Sequence, residues 1–90
     1  MNTNEITVNA AEKEKLFCLE IANEMVKAFG IPISEAIGRI NKQWNSTRID
    51  GMVYHKTSEA WAKTIYYEDG TFWWVDEWIA EHTPKPKPYP

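Results

Sequence analysis

The chain has a single cysteine, Cys18, only four glycines, and no apolar run longer than four residues. One thiol cannot close an internal bridge, so disulfide stapling is excluded as the source of stability. Secreted domains of this size more often carry paired cysteines, so a reducing, cytoplasmic setting is expected. The apolar runs fall far short of the roughly 20 residues that cross a bilayer, and no membrane span is expected. Met1–Thr7 has neither a basic start nor an apolar core, and no signal segment is read there. No internal repeat and no phosphate-binding loop are present, and no histidine or cysteine set has metal-ligand spacing. Asn45-Ser46-Thr47 matches a glycosylation sequon, which without an export signal reads as chance.

What is abundant is aromatic side chain: 13% of 90 residues, including five tryptophans. Ninety residues suit one domain, and a hydrophobic share of 43% with a charged share of 26% is ordinary for a globular chain. Each Trp or Tyr brings on the order of 200 Å² of buriable surface, which lets a small domain gather a core without covalent staples.

Periodicity divides the chain. Residues 1–8 are polar and uncapped and read as a flexible arm, followed by a globular domain over 9–82. Asn9 followed by Glu12 has the spacing of a capping box for a helix over Ala10 to Phe29. Its apolar stripe holds Leu16, Leu19, Ala22, Val26 and Phe29, widened by Phe17, Ile21, Met25 and Ala28. Gly30 and Pro32 end it. A second helix runs from Ile33 or Ser34 to Asn45, with Ile33, Ile37, Ile40 and Trp44 on one face. Glu35 and Arg39 form an i, i+4 pair assigned to the solvent side. Gly38 inside this helix implies a close crossing, and the short linker makes the first helix the expected neighbour.

Beyond the Asp50-Gly51 turn, Met52-Val53-Tyr54-His55 reads as a short strand. Thr57 and Ser58 open a helical pattern through Trp61 and Ile65, yet Ile65-Tyr66-Tyr67 is β-prone, so 61–67 admits two readings. One is a short helix. The other is a hairpin with 71–75 across Asp69-Gly70. The reading adopted is helix for 58–64 and strand for Thr71 to Val75, with a helical turn over 76–82. Residues 83–90 have proline at every second position, which predicts a disordered, polyproline-like tail. The expected fold class is therefore α+β: two antiparallel helices packed on a short β element, with 58–64 as a third short helix.

Gly38-Arg39-Ile40-Asn41 with Trp44, then Val53-Tyr54-His55, Trp61-Ala62 and Ile65-Tyr66-Tyr67 ahead of Trp73-Trp74, resembles a family of small uncharacterised bacterial proteins over about residues 28–75. The resemblance implies a bacterial origin and a compact domain. It carries no activity and transfers no catalytic residue.

Candidate chemistry is sparse. Cys18 with His55 has the residue types of a nucleophile and its base, but Cys18 sits inside an apolar stripe, where a thiol titrates high. Asp76, Glu77 and Glu81 read as a solvated face. No enzyme activity, cofactor, metal or small-molecule ligand is indicated. The feature with binding potential is the aromatic group, with Trp61, Tyr67, Trp73 and Trp74 as contact candidates. Neighbours on a strand point to opposite faces, so one of Trp73 and Trp74 is expected at the surface; the rest of the group divides between core and interface. The expected function is a non-enzymatic interaction or accessory protein, binding a protein partner or itself. The rival reading is a nucleic-acid-associated regulator contacting phosphates through Arg39, Lys42 and Arg48 on one side of helix 33–45. Against it stands the charge: net −3, with no dense basic stripe.

Overall fold

In the computed structural model, which describes residues 5–45 and 47–89, the regular secondary structure of the described residues is helical. The first four residues of the expected arm, Ser46 of the sequon and Pro90 of the tail lie outside the described residues. Four α-helices follow one another: α1 (Glu12–Phe29), α2 (Ile33–Gln43), α3 (Ser58–Tyr66) and α4 (Asp76–Glu81). A 3₁₀ turn, Gly51–His55, lies between α2 and α3. Helices α1, α2 and α3 pack on one another, while α4 buries no residue of its own.

The α+β expectation is overturned. Among the described residues no strand forms, and extended pairing is limited to two isolated bridges, Asn9 with Arg48 and Tyr67 with Pro86. The local reasons are specific. The Asp50 side chain accepts the Met52 N–H at 2.9 Å, closing 52–55 into a 3₁₀ turn rather than a strand. Thr57 caps α3 by accepting the Ala60 N–H at 3.1 Å, and Ala62 and Ile65 then face the core one turn apart. That burial carries the helix through the β-prone Ile65-Tyr66 and settles 61–67 as helical to Tyr66. Thr71 to Val75 finds no neighbouring strand and folds as turns, with the Val75 N–H bonded to the Phe72 carbonyl at 3.0 Å.

The core is a three-helix centre closed by the N-terminal segment. Ile21, Ala22 and Met25 of α1, Ala36 and Ile40 of α2, and Ala62 and Ile65 of α3 are essentially sealed. Each helix contributes one buried alanine, a side chain small enough to let helix axes approach closely. The stripe on α1 is rotated from the expected one: Cys18 lies at its centre, whereas Leu16 is exposed. Gly30 ends α1 as expected, at φ 68° with its N–H on the Val26 carbonyl. The Asn9 capping box does not form; Ala11 precedes α1, and no side chain caps it.

The flexible-arm expectation fails for residues 6 and 8. Ile6 and Val8 are core residues, exposed by only 1% and 4%. Asn41 of α2 holds them in place, donating its amide to the Glu5 carbonyl and accepting the Thr7 N–H, both at 2.9 Å. The Asn9 carbonyl then receives the Ile49 N–H at 2.9 Å, bringing Ile49 into the same core. One side-chain amide thus stands in for a strand partner.

The tail is also corrected. Residues 85–89 fold back on the ends of α2 and α3: Glu68 N–H donates to the Lys85 carbonyl at 2.9 Å, and Lys87 N–H to the Tyr66 carbonyl at 2.8 Å. Proline at alternate positions leaves Lys87 its N–H, and that is the donor used. Gly38, expected to face α1, has the tail as its nearest neighbour: the Tyr89 hydroxyl occupies the space a side chain at 38 would need.

Candidate functional site

The aromatic side chains divide into an inner set that ties the helices together and an outer set that projects from them. Trp61 belongs to the inner set. Its indole N–H donates to the Val53 carbonyl at 2.7 Å, and its ring lies 5.1 Å from Trp44 in edge-to-face contact. Lys56 places its ammonium 4.5 Å from the same ring. Trp61 is therefore a strut between α3, the 3₁₀ turn and the end of α2. Tyr67 is half-buried with its edge toward Phe29 at 5.3 Å, and Phe29 stacks on Tyr66 at 3.8 Å. Burial, with the neighbouring Tyr66 adding to it, pushes the Tyr67 phenol above its ordinary pKa.

The outer set is built on residues 72–82. Phe72 meets Trp74 and Trp78 edge-on at 5.6 and 6.2 Å, and Trp73 meets Trp74 at 5.3 Å. Trp78 stacks on His82 at 4.5 Å, and the His82 ring reaches the Trp78 carbonyl at the end of α4. Lys63 of α3 lies 5.0 Å from Trp73 and ties the lobe to the body. What remains uncovered is large: Trp74 is 61% exposed, Phe72 46% and Ile79 44%. Asp76, Glu77 and Glu81 are exposed beside them.

Of the four sequence candidates, the fold therefore brings three together. Tyr67, Trp73 and Trp74 line one cleft of about 170 Å³ with Lys56, Lys63 and Thr71. Trp61 lies outside it. The exposed member of the adjacent pair is Trp74, although no strand places it there. Sequence reasoning passed over Ile79 as a surface group; its position beside Trp78 in a segment dense in acids was the available signal.

The three cations of the rival reading do not share a face. Arg39 is buried at 8% exposure, not on the solvent side, with its Nε on the Glu35 carboxylate at 2.9 Å and Nη1 on the Lys87 carbonyl at 2.9 Å. Its charge is paired with Glu35 and its side chain is almost wholly covered, so it does not present an open cationic surface. Lys42 and Arg48 are exposed and line different depressions.

Cys18 and His55 do not make a catalytic pair. Cys18 is sealed in the α1 core, whereas His55 is exposed and turned to the Met52 carbonyl through Nδ1. Burial pushes the Cys18 thiol from 9.0 up to about 11, with the Glu14 carboxylate adding to the effect. The unfolded thiol ionises first as pH rises, so folding holds a proton that the unfolded chain has lost. The thiol's contribution is therefore constant below pH 9.0 and declines as pH rises towards 11. The expected loss is about 2–3 kcal/mol, read by urea unfolding across that window and absent from Cys18→Ala.

Among the described residues no group of three or more histidine, cysteine, aspartate or glutamate side chains is placed to hold a metal. No helix there is long and apolar enough to cross a membrane. Comparison with protein-family models, curated proteins and solved structures finds no match to this chain. The functional reading therefore rests on the surface itself.

Proposed function

We propose that this chain is a protein-interaction module whose contact surface is the aromatic lobe over residues 72–79. The observation that carries the reading is the exposure of Trp74, Phe72 and Ile79 on a segment that contributes nothing to the core. A six-residue helix that buries no residue is not there for stability. Large aromatic side chains give much contact area for little conformational entropy, which is why they dominate the energetics of protein contacts. The acids Asp76, Glu77 and Glu81 border the patch. They favour a partner whose own apolar surface is edged by basic residues, with association that slows as salt rises.

Trp74→Ala tests the reading. Collisional quenching of the free protein by iodide and acrylamide is expected to act mainly on Trp74, and partner binding to shield it. The substitution is expected to weaken capture of the partner by about tenfold or more, while circular dichroism and the unfolding midpoint stay close to those of the parent chain. Capture unchanged by Trp74→Ala and Phe72→Ala would remove the lobe as the contact surface.

A further inference from the structure

The folded-back tail sits in a groove that is built for it. Three backbone bonds hold it: Lys85 carbonyl to Glu68 N–H, Lys87 N–H to Tyr66 carbonyl, and Lys87 carbonyl to Arg39 Nη1, all between 2.8 and 2.9 Å. The Lys87 ammonium reaches Gln43 Oε1 at 3.1 Å and the Asp69 carboxylate at 3.3 Å. The Arg39 guanidinium lies between two rings, 4.8 Å from Tyr66 of the body and 5.3 Å from Tyr89 of the tail. Gly38 supplies the gap that the Tyr89 hydroxyl fills. Glycine inside a helix costs about 1 kcal/mol relative to alanine, and the nearest atoms to a side chain at 38 would be those of Tyr89 in the tail. The groove thus accepts an extended segment with lysine between prolines and a tyrosine two residues on. Such a segment loses little entropy on docking, because proline already holds it extended.

We infer that this groove is a binding site for the tail of a second copy of the chain, which exchanges with the chain's own. Three observations select that occupant. A second copy carries a segment that satisfies every one of these contacts, so exchange keeps them all. The stretch between body and tail, residues 71–84, buries no residue, so release uncovers no core: it breaks the tail's own contacts and the Lys63 contact of half-covered Trp73. Charge fixes the register at one point: the Lys87 ammonium seats on Asp69, in a groove that Lys42 and Arg39 also line. The resident tail competes at an effective concentration of order millimolar, so the exchanged dimer appears only as the protein is concentrated. Apart from the Trp73–Lys63 contact that release breaks, the inference uses residues different from those of the aromatic lobe, and it does not depend on that surface binding a partner.

The experiment uses the full chain. Equal amounts of isotope-labelled and unlabelled protein are unfolded together, refolded, and followed by sedimentation from ~10 μM to ~1 mM, the range set by that effective concentration. Isotope-filtered nuclear Overhauser spectra then ask whether the Tyr89 ring and the Gly38 α-protons in contact belong to different chains. The expected result is a dimer that grows with concentration and shows the Tyr89–Gly38 contact between chains. Gly38→Ala blocks the Tyr89 seat in the closed and exchanged forms alike, so it is expected to remove the Tyr89 contact at residue 38 in both and to raise the share of chains whose tail is released. A monomer at every concentration overturns the inference. So does a dimer in which that contact is found only within chains, although such a dimer leaves the aromatic lobe standing as an interface.

Discussion

Ile6→Asp is expected to leave little folded protein at room temperature. Ile6 is 1% exposed and is held in the core by the Asn41 amide on both sides of its backbone. A carboxylate there would lie in an apolar core, and an uncompensated buried charge costs roughly 3–5 kcal/mol. Whole small domains are stable by only about 5–15 kcal/mol, and a 90-residue chain with no disulfide belongs near the lower end. Equilibrium denaturation in urea checks the result: the midpoint falls by half or more, while Thr7→Asp, one residue on at an exposed position, leaves it nearly unchanged. If residues 5–8 were a loose arm, the two substitutions would behave alike.

Trp61→Ala is expected to cost about 3 kcal/mol, against less than about 0.5 kcal/mol for Trp74→Ala. Both are tryptophans in an aromatic-rich half of the chain, and their environments separate them. Truncating Trp61 removes the edge contact with Trp44, frees Lys56 from its ring, and leaves the Val53 carbonyl without its 2.7 Å donor. Trp61→Phe keeps most of the packing and loses the N–H, so about 1–2 kcal/mol is expected for it. Trp74 is 61% exposed, its ring contacts are with Phe72 and Trp73 of its own lobe, and it is not among the residues packed on the core. Parallel thermal and urea unfolding of the three variants measures the difference. The ordering Trp61→Ala, Trp61→Phe, Trp74→Ala in stability, with partner capture lost only in the last, assigns one tryptophan to the fold and the other to recognition.

The helices that sequence patterning located were those whose signals are local. Gly30 after Phe29, Thr57 before Ser58 and the apolar faces of α1 and α2 depend on spacing and on a few capping residues. The expected β element does not form because Val, Tyr and Trp favour strands only when another strand is present to pair with them, and none forms among the described residues. Asp50 and Gly70 turned those segments into a 3₁₀ turn and a loop. The candidate surface was half legible. A pair of adjacent tryptophans implied that one would be exposed. Which one, and that Trp61 would be structural, depended on the Val53 carbonyl eight residues upstream.

Composition and period alone determined where the main helices lie and that helix faces and aromatic rings, with no internal disulfide in these 90 residues, must hold them. Three features were decided only by tertiary contact: the N-terminal segment as core, Arg39 as a buried clamp, and the proline-rich tail as a docked strap. In each case the deciding partner is distant in the chain, with Asn41 reaching back to residues 5–7 and Arg39 and Gly38 reaching forward to residues 87 and 89. A polar, short or proline-rich segment reads as loose because nothing nearby in sequence can satisfy its backbone. A side chain brought from far along the chain can.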